Sequence, residues 1–335
     1  MVEPLVLRRF TIAIACLGLA CSGLDGAPTK AEGGSGAAES ETDPHAPELL
    51  RVQADDGHAL ALWAKAPDKP RGAVVLLHGR TWSGRPDFDL QVPGEQRSTM
   101  DLLVREGFAA YALDLRGYGK TERDATGWNT PDRAAKDLAA ALKFVADRHG
   151  GRPAAVLGWS LGSLTAQLTA QRHPELVAAL FLYGYPRSPD HVYVPPPPPE
   201  PGVEPPPPEA ELVPARMPTT AEAAAEDFIV PGAITPRAIE RFVAAALASD
   251  PIKSDWRAPE EWDELDPAKI EVPVMVIHGI EDPYAPVETQ AKLFERIKHA
   301  DRQWVILAGC DHAAHLEDCG ARFVHAIVTF LQRPK

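Results

Sequence analysis

Val156-Leu157-Gly158-Trp159-Ser160-Leu161-Gly162-Ser163 is the stretch on which the reading of this chain turns. Ahead of it, Ala154 to Leu157 is an apolar run of strand type; behind it, Leu161, Leu164 and Leu168 recur at helix spacing. Ser160 therefore stands where a buried strand becomes a helix within a residue or two. Such a turn strains the backbone, and side chains at positions 158 and 162 would strike the neighbouring strand and helix. Gly158 and Gly162 meet that demand, so Ser160 is either a presented nucleophile or an inert helix cap. A five-residue pattern is weak on its own, and the surrounding sequence has to decide.

The alternation extends in both directions. Leu49 to Ala54 and Ala59 to Lys65 flank Asp55-Asp56-Gly57, a hairpin signature. Aliphatic runs follow at Ala73 to Leu77, Ala109 to Leu115, Ala154 to Leu157, Val177 to Leu182, Val272 to Ile277 and Trp304 to Leu307. Between them lie helical patterns at Ser98 to Glu106, Pro131 to Arg148, Leu161 to Arg172, Val287 to Lys298 and Ala321 to Leu331, the second opened by Thr130-Pro131. The pattern predicts an α/β fold, a mostly parallel sheet with helices on both faces. One interval breaks it. Residues 186–266 offer no core strand and two helices, Ala221 to Phe228 behind the capping box Thr219-x-x-Glu222, and Pro236 to Ala248 behind Thr235. We read this interval as a helical cap inserted after the sixth strand, leaving 47–185 and 267–335 as the core. Inside it, residues 195–208 are proline runs that favour polyproline II, an exposed semi-rigid loop or a docking site for a partner.

A chain of 335 residues with 45% hydrophobic and 24% charged content can bury a sizeable core. Acids outnumber Lys and Arg by 47 to 34, and no basic stretch is interleaved with aromatics, which argues against nucleic acid. At the N-terminus, Arg8 and Arg9 precede the short apolar run Phe10 to Ala20, the layout of an export signal. Leu17-Gly18-Leu19-Ala20-Cys21 resembles a bacterial lipobox, which implies lipidation at Cys21 and a periplasmic, outer-membrane or cell-surface lipoprotein; cleavage without a lipid gives a secreted protein. Residues 22–46, rich in Gly, Ala, Ser and Glu, read as a flexible linker. Of the four cysteines, Cys310 and Cys319 remain as a candidate disulfide in an oxidising compartment.

A serine hydroxyl is a poor nucleophile near neutral pH; it needs a base to take its proton, an acid to orient that base, and backbone donors for the oxyanion. In a parallel sheet these groups gather at the carboxyl ends of strands. There the sequence offers Asp282, in the loop after Val272 to Ile277, with Glu281 as the alternative acid, and His312, in the loop after the last strand, with His315 as the rival base. The backbone N–H groups of Leu161 and Arg80 are the candidate oxyanion donors. Trp82, in the segment Arg80 to Leu90, and Trp159 are candidate pocket residues, Trp159 being otherwise packing at the turn. Arg80 or Arg85 is available for a substrate carboxylate, although pairing with Asp87 or Asp89 is the favoured reading. Asp114 to Gly119 reads as a sharp turn. The spacing Cys310-x-His312-x-x-His315-x-x-x-Cys319 also fits zinc ligands, but zinc would consume the histidine that hydrolysis needs, so no metal or cofactor is assigned.

Leu76-Leu77-His78-Gly79, Asp114-Leu115-Arg116-Gly117-Tyr118-Gly119, Gly158-Trp159-Ser160-Leu161-Gly162, His278-Gly279-Ile280-Glu281-Asp282 and Gly309-Cys310-Asp311-His312, taken together, resemble the α/β-hydrolase fold superfamily across residues 50–332. The resemblance implies cleavage of a small-molecule ester, amide or related bond, most readily a carboxylic ester, without metal or organic cofactor. Serine at position 160 disfavours the dehalogenase and epoxide hydrolase branches, which carry aspartate there. An acyltransferase or peptidase with the same three residues is the neighbouring reading, and a catalytically silent binding module the more distant one.

Overall fold

The six aliphatic runs and the two arms of the hairpin are the eight strands of one sheet. A computed structural model describes residues 46–195 and 212–334; the stretch read as an export signal with Cys21, most of the stretch read as a linker, and all but the first residue of the proline-rich loop lie outside the described residues. The strands are β1 (Glu48–Gln53), β2 (Ala59–Lys65), β3 (Ala73–Leu77), β4 (Ala109–Asp114), β5 (Ala154–Trp159), β6 (Val177–Tyr183), β7 (Val274–Gly279) and β8 (Arg302–Leu307). They are ordered β1-β2-β4-β3-β5-β6-β7-β8. The β1/β2 and β2/β4 pairs are antiparallel, and all other pairs are parallel.

Both faces of this sheet are covered, which is why its central strands are apolar throughout rather than alternating. In β3, Val74 and Leu76 join one core cluster while Val75 and Leu77 join the other, all of them fully buried. The helices α3 (Pro131–Arg148), α4 (Leu161–Arg172) and α7 (Val287–Arg296) supply Leu138, Leu142, Leu168 and Leu293 to one side. On the other side, α2 (Thr99–Arg105) and α8 (Gly320–Gln332) supply Met100, Leu103, Phe323 and Ile327. The short helix α1 (Gly84–Phe88) follows β3. Thr130 caps α3 by accepting from the Arg133 N–H, with Pro131 in the first turn.

Between β6 and β7 lie α5 (Ala221–Ala225) and α6 (Pro236–Ser249), whose Ala224, Ala238 and Phe242 close over Trp82 and Leu316. Two details differ from the sequence reading. The cap of α5 is Thr220, not Thr219: Thr220 accepts from the Ala223 N–H, while the Thr219 hydroxyl donates to the Asp250 carbonyl at 2.6 Å. The helix also stops at Ala225 instead of reaching Phe228, because the N–H groups of Ile229 and Val230 are drawn to Asp311 Oδ2 at 2.6 and 2.7 Å. A carboxylate that accepts two N–H groups outcompetes one more turn of a short helix.

The segment Asp114 to Gly119 is a structural knot. Asp114 is fully buried and accepts from Trp63 Nε1, the Gly84 N–H and the Lys120 N–H, joining β2, α1 and β4. A Cβ at Gly119 would lie 2.3 Å from Asp114 Oδ2. Two residues on from Asp114, Arg116 is 2% exposed and forks through Nε and Nη2 onto the wholly buried Asp137 of α3, while Nη1 and Nη2 donate to Asp56 of the hairpin turn. Removing one partner of a buried pair strands the other charge, at a cost of about 3 to 5 kcal/mol, and Arg133 Nε, 3.1 Å from Asp137 Oδ1, keeps the cost here toward the lower end. Arg116→Ala is therefore expected to lower the unfolding free energy by about 3 kcal/mol in urea titration, and adding Asp137→Ala should cost less than the two single changes summed.

Candidate active site

Ser160 follows β5 directly and opens α4 with φ 54° and ψ −121°, a left-handed conformation that ordinary side chains avoid. Its glycine neighbours explain how the chain gets there. A Cβ on Gly158 would lie 2.2 Å from the Gly162 carbonyl oxygen, and one on Gly162 would lie 2.4 Å from the His78 carbonyl oxygen. The first contact is with the start of the helix and the second with the end of β3, so either substitution would push strand and helix apart. The Ser160 N–H donates to the Tyr183 carbonyl at 2.9 Å, which anchors the turn to β6 as well.

Beside this turn, His78 fixes the loop that leaves β3. The Leu115 N–H donates to Nε2 at 3.1 Å, so Nδ1 carries the proton and donates to the Gly79 carbonyl at 2.8 Å. Burial holds this histidine near pKa 4 and hence neutral. Its task is to set the path of Gly79 and Arg80. Neither the Arg80 N–H nor the Leu161 N–H has an acceptor among the described residues, and both residues line the cavity that holds Ser160.

The histidine loop comes in from the far side. His312 Nδ1 is 2.8 Å from Asp282 Oδ2, and Asp282 Oδ1 accepts from the N–H groups of Tyr284 and Ala285. Both carboxylate oxygens are thus committed, which fixes the imidazole's orientation. Glu281, the alternative acid, is solvent-exposed, whereas Asp282 is buried. His315, the rival base, packs against Trp159, Tyr183 and Phe88 instead of lining the cavity, and burial lowers its pKa to about 3. The His312 carbonyl accepts from Trp159 Nε1 at 2.8 Å and from the Tyr183 hydroxyl at 2.7 Å. Trp159 is accordingly both a wall of the cavity and a clamp on the histidine loop. No hydrogen bond joins Ser160 to His312 here, although both line the same cavity; such contacts commonly tighten only when substrate is bound.

That cavity has a volume of about 390 Å³ and is walled by Trp82, Trp159, Pro186, Tyr284 and Asp227 around Ser160 and His312. A larger concavity of about 840 Å³ beside β1 and α3 is lined by Lys136, Lys143 and Asp147 and contains no serine. Neither Arg80 nor Arg85 makes the expected pair with Asp87 or Asp89. Lys65 takes Asp89 at 2.6 Å, Arg85 lies over the Trp63 ring, and the Asp87 carboxylate is buried without a hydrogen-bond partner among the described residues. The zinc-like spacing also dissolves in three dimensions: Cys310 and Cys319 have their sulfurs in bonding contact and Cα atoms 6.5 Å apart, while the histidines are engaged with Asp282 and Tyr183.

Asp227, Tyr183, Gly184 and Tyr284 belong to the site without having been singled out from the sequence. Gly184 carries the only available signal, since it ends a strand on the carboxyl edge of the sheet; its φ is 55°, and a Cβ there would lie 3.0 Å from the His312 ring. Asp227 sits in the cap, where no periodic pattern or motif marks it.

Among proteins of known activity, the chain is 25% identical over 260 residues to a monoacylglycerol lipase of Mycolicibacterium smegmatis, covering 75% of this chain and 84% of that one. It is 32% identical over 117 residues to the serine hydrolase BPHL of Homo sapiens, a stretch that spans only 33% of this chain and 35% of the human protein. A thermophilic esterase from Thermogutta terrifontis shares the fold with a TM-score of 0.60 at 17% identity, over 85% of this chain and 98% of the esterase. The model of the α/β-hydrolase family matches residues 74–326. That match runs from β3 into α8 and takes in the serine turn, the acid loop and the histidine loop alike, so the chain belongs to the α/β-hydrolase family.

Proposed function

We propose that this protein is a serine hydrolase, and specifically a carboxylic ester hydrolase. The observation that carries this reading is one cavity holding a serine on a strained turn, a histidine fixed by a buried aspartate, and two backbone N–H groups without acceptors. Ser160 Oγ attacks the ester carbonyl as His312 Nε2 takes its proton. Asp282 keeps the imidazole in the tautomer that has Nε2 free and stabilises the imidazolium that forms. The oxyanion accepts from the Arg80 and Leu161 N–H groups, and the leaving alcohol departs with the proton from His312. Water then repeats the sequence on the acyl-enzyme, returning Ser160 and releasing the acid.

Fluorophosphonate labelling followed by mass mapping tests the nucleophile. We expect one adduct, on Ser160, which is lost in Ser160→Ala together with esterase turnover, by about three orders of magnitude or more. A folded protein without an adduct would reject the reading. Product analysis with an added alcohol separates hydrolysis from acyl transfer, the free acid being the expected product.

The reading includes a Cys310–Cys319 disulfide that closes the histidine loop, consistent with export through the N-terminal segment. Closing a loop across a separation of 9 residues is worth about 2 to 3 kcal/mol by chain-entropy arithmetic. Protein isolated under oxidising conditions should gain the mass of two hydrogens on reduction, and Cys319→Ser should lower the unfolding midpoint and the labelling rate together. Two free thiols in the oxidised protein would dismiss this element.

A further inference from the structure

Asp227 is the one carboxylate among the described residues that line the cavity, and hydrolysis assigns it no task. It lies just beyond α5, in the cap, and lines the cavity with Ser160 and His312. Trp82 Nε1 donates to its Oδ2 at 2.8 Å and so fixes the plane of the carboxylate, while Oδ1 has no hydrogen-bond partner among the described residues. No lysine or arginine nitrogen comes within 4.0 Å of it among those residues. The charges that bear on it are mostly of its own sign: Glu226 beside it in the cap, Asp311 on the histidine loop and Asp87 on α1, while the Trp82 N–H and, more weakly, His312 favour its ionised form. Partial burial and these acids raise it to about 6, so it is ionised at neutral pH, half-buried in the cavity wall.

A half-buried carboxylate without a countercharge is incompletely hydrated, and a ligand that brings a cation into the cavity completes its environment. Arg80 lines the same cavity but is exposed, so water already serves its charge and it makes no comparable demand. The walls also include Trp82, Trp159 and Tyr284, and aromatic rings attract cations to their faces. Carboxylate and rings together make a receptor for an alkylammonium group. Building on the hydrolytic reading of Ser160, we propose that Asp227 is a specificity-determining residue that selects esters bearing a protonated amine within reach of the scissile carbonyl.

The test is a set of benzyl esters whose acyl chains match in length and end in ammonium, methyl or carboxylate, with spacers graded from glycyl to aminohexanoyl. At pH 7.5 the ammonium ester of the best-fitting spacer should exceed its methyl counterpart in kcat/KM by about tenfold or more, and Asp227→Asn should remove most of that ratio. Lowering the pH through about 6 should erode the ratio as Asp227 takes up a proton, and because the ratio compares two esters at each pH, effects common to both cancel. Equal rates for the two esters at every spacer, or a ratio untouched in Asp227→Asn, would overturn the proposal. A preference for the carboxylate ester that disappears in Arg80→Ala would overturn it in favour of the arginine. Calorimetric titration of Ser160→Ala protein with hexylammonium and with hexanol reads the same selectivity without chemistry. Ammonium binding without turnover of any ester would sink the nucleophile and keep the cation site; turnover without preference would do the reverse.

Discussion

Everything near the site depends on how closely two backbones approach at Gly158 and Gly162. The strand carrying Ser160 lies between β3 and β6, and the helix that follows must return over it with Gly162 against the carbonyls of Leu77 and His78. A left-handed serine costs about 1 to 3 kcal/mol and persists only where its surroundings over-determine it. Here they do: β5 is held on both sides along its length, and the Ser160 N–H is tied to Tyr183. The serine is thus presented by the rigidity of the sheet rather than by contacts of its own side chain. The same logic explains Gly279, where a Cβ would lie 2.2 Å from the Cys310 carbonyl oxygen, so that the acid loop and the histidine loop can leave adjacent strands side by side.

The histidine depends on a second layer of contacts, and these run through its backbone. Trp159 from the serine turn and Tyr183 from β6 both donate to the His312 carbonyl, while Asp282 holds Nδ1. Three strands therefore meet at one residue. Aromatic donors suit this role because their rings fill the space between loops while one polar atom reaches a carbonyl. His315, three residues on, is sealed among the same rings and kept neutral by burial, which leaves it a spacer beneath the loop.

Most of the sheet was legible because its strands are buried on both faces and so appear as unbroken aliphatic runs, and the serine turn was legible because only glycine fits beside it. Asp282 and His312 could be placed from their position after strands. What escaped was set by partners distant in sequence. Lys65 takes the carboxylate of Asp89 that local reasoning gave to an arginine, and nothing between them in the chain announces it. Thr219 and Thr220 are indistinguishable as caps until one of them is claimed by Asp250. Asp227 sits in a cap segment without periodicity, and its neighbour Trp82 lies 145 residues away.

The cap's attachment explains why so few residues are left to choose a substrate. Asp250, at the end of α6, accepts from the Ser83 N–H, the Ser83 hydroxyl and the Gly119 N–H, and Asp311 accepts from the cap N–H groups of Ile229 and Val230. Each tie is a carboxylate taking backbone donors from the other part of the fold, the stronger class of hydrogen bond and one that fixes position as well as distance. One tie lies beside the loop after β3 and the other beside His312, so the roof is pinned at both ends of the cavity. Between the pins, the cap's side chain on the cavity wall is Asp227, with Pro186 at the point where the chain leaves the sheet. A roof tied at both ends sets the place of the group it carries on the cavity wall, and that carboxylate is held further by the indole of Trp82.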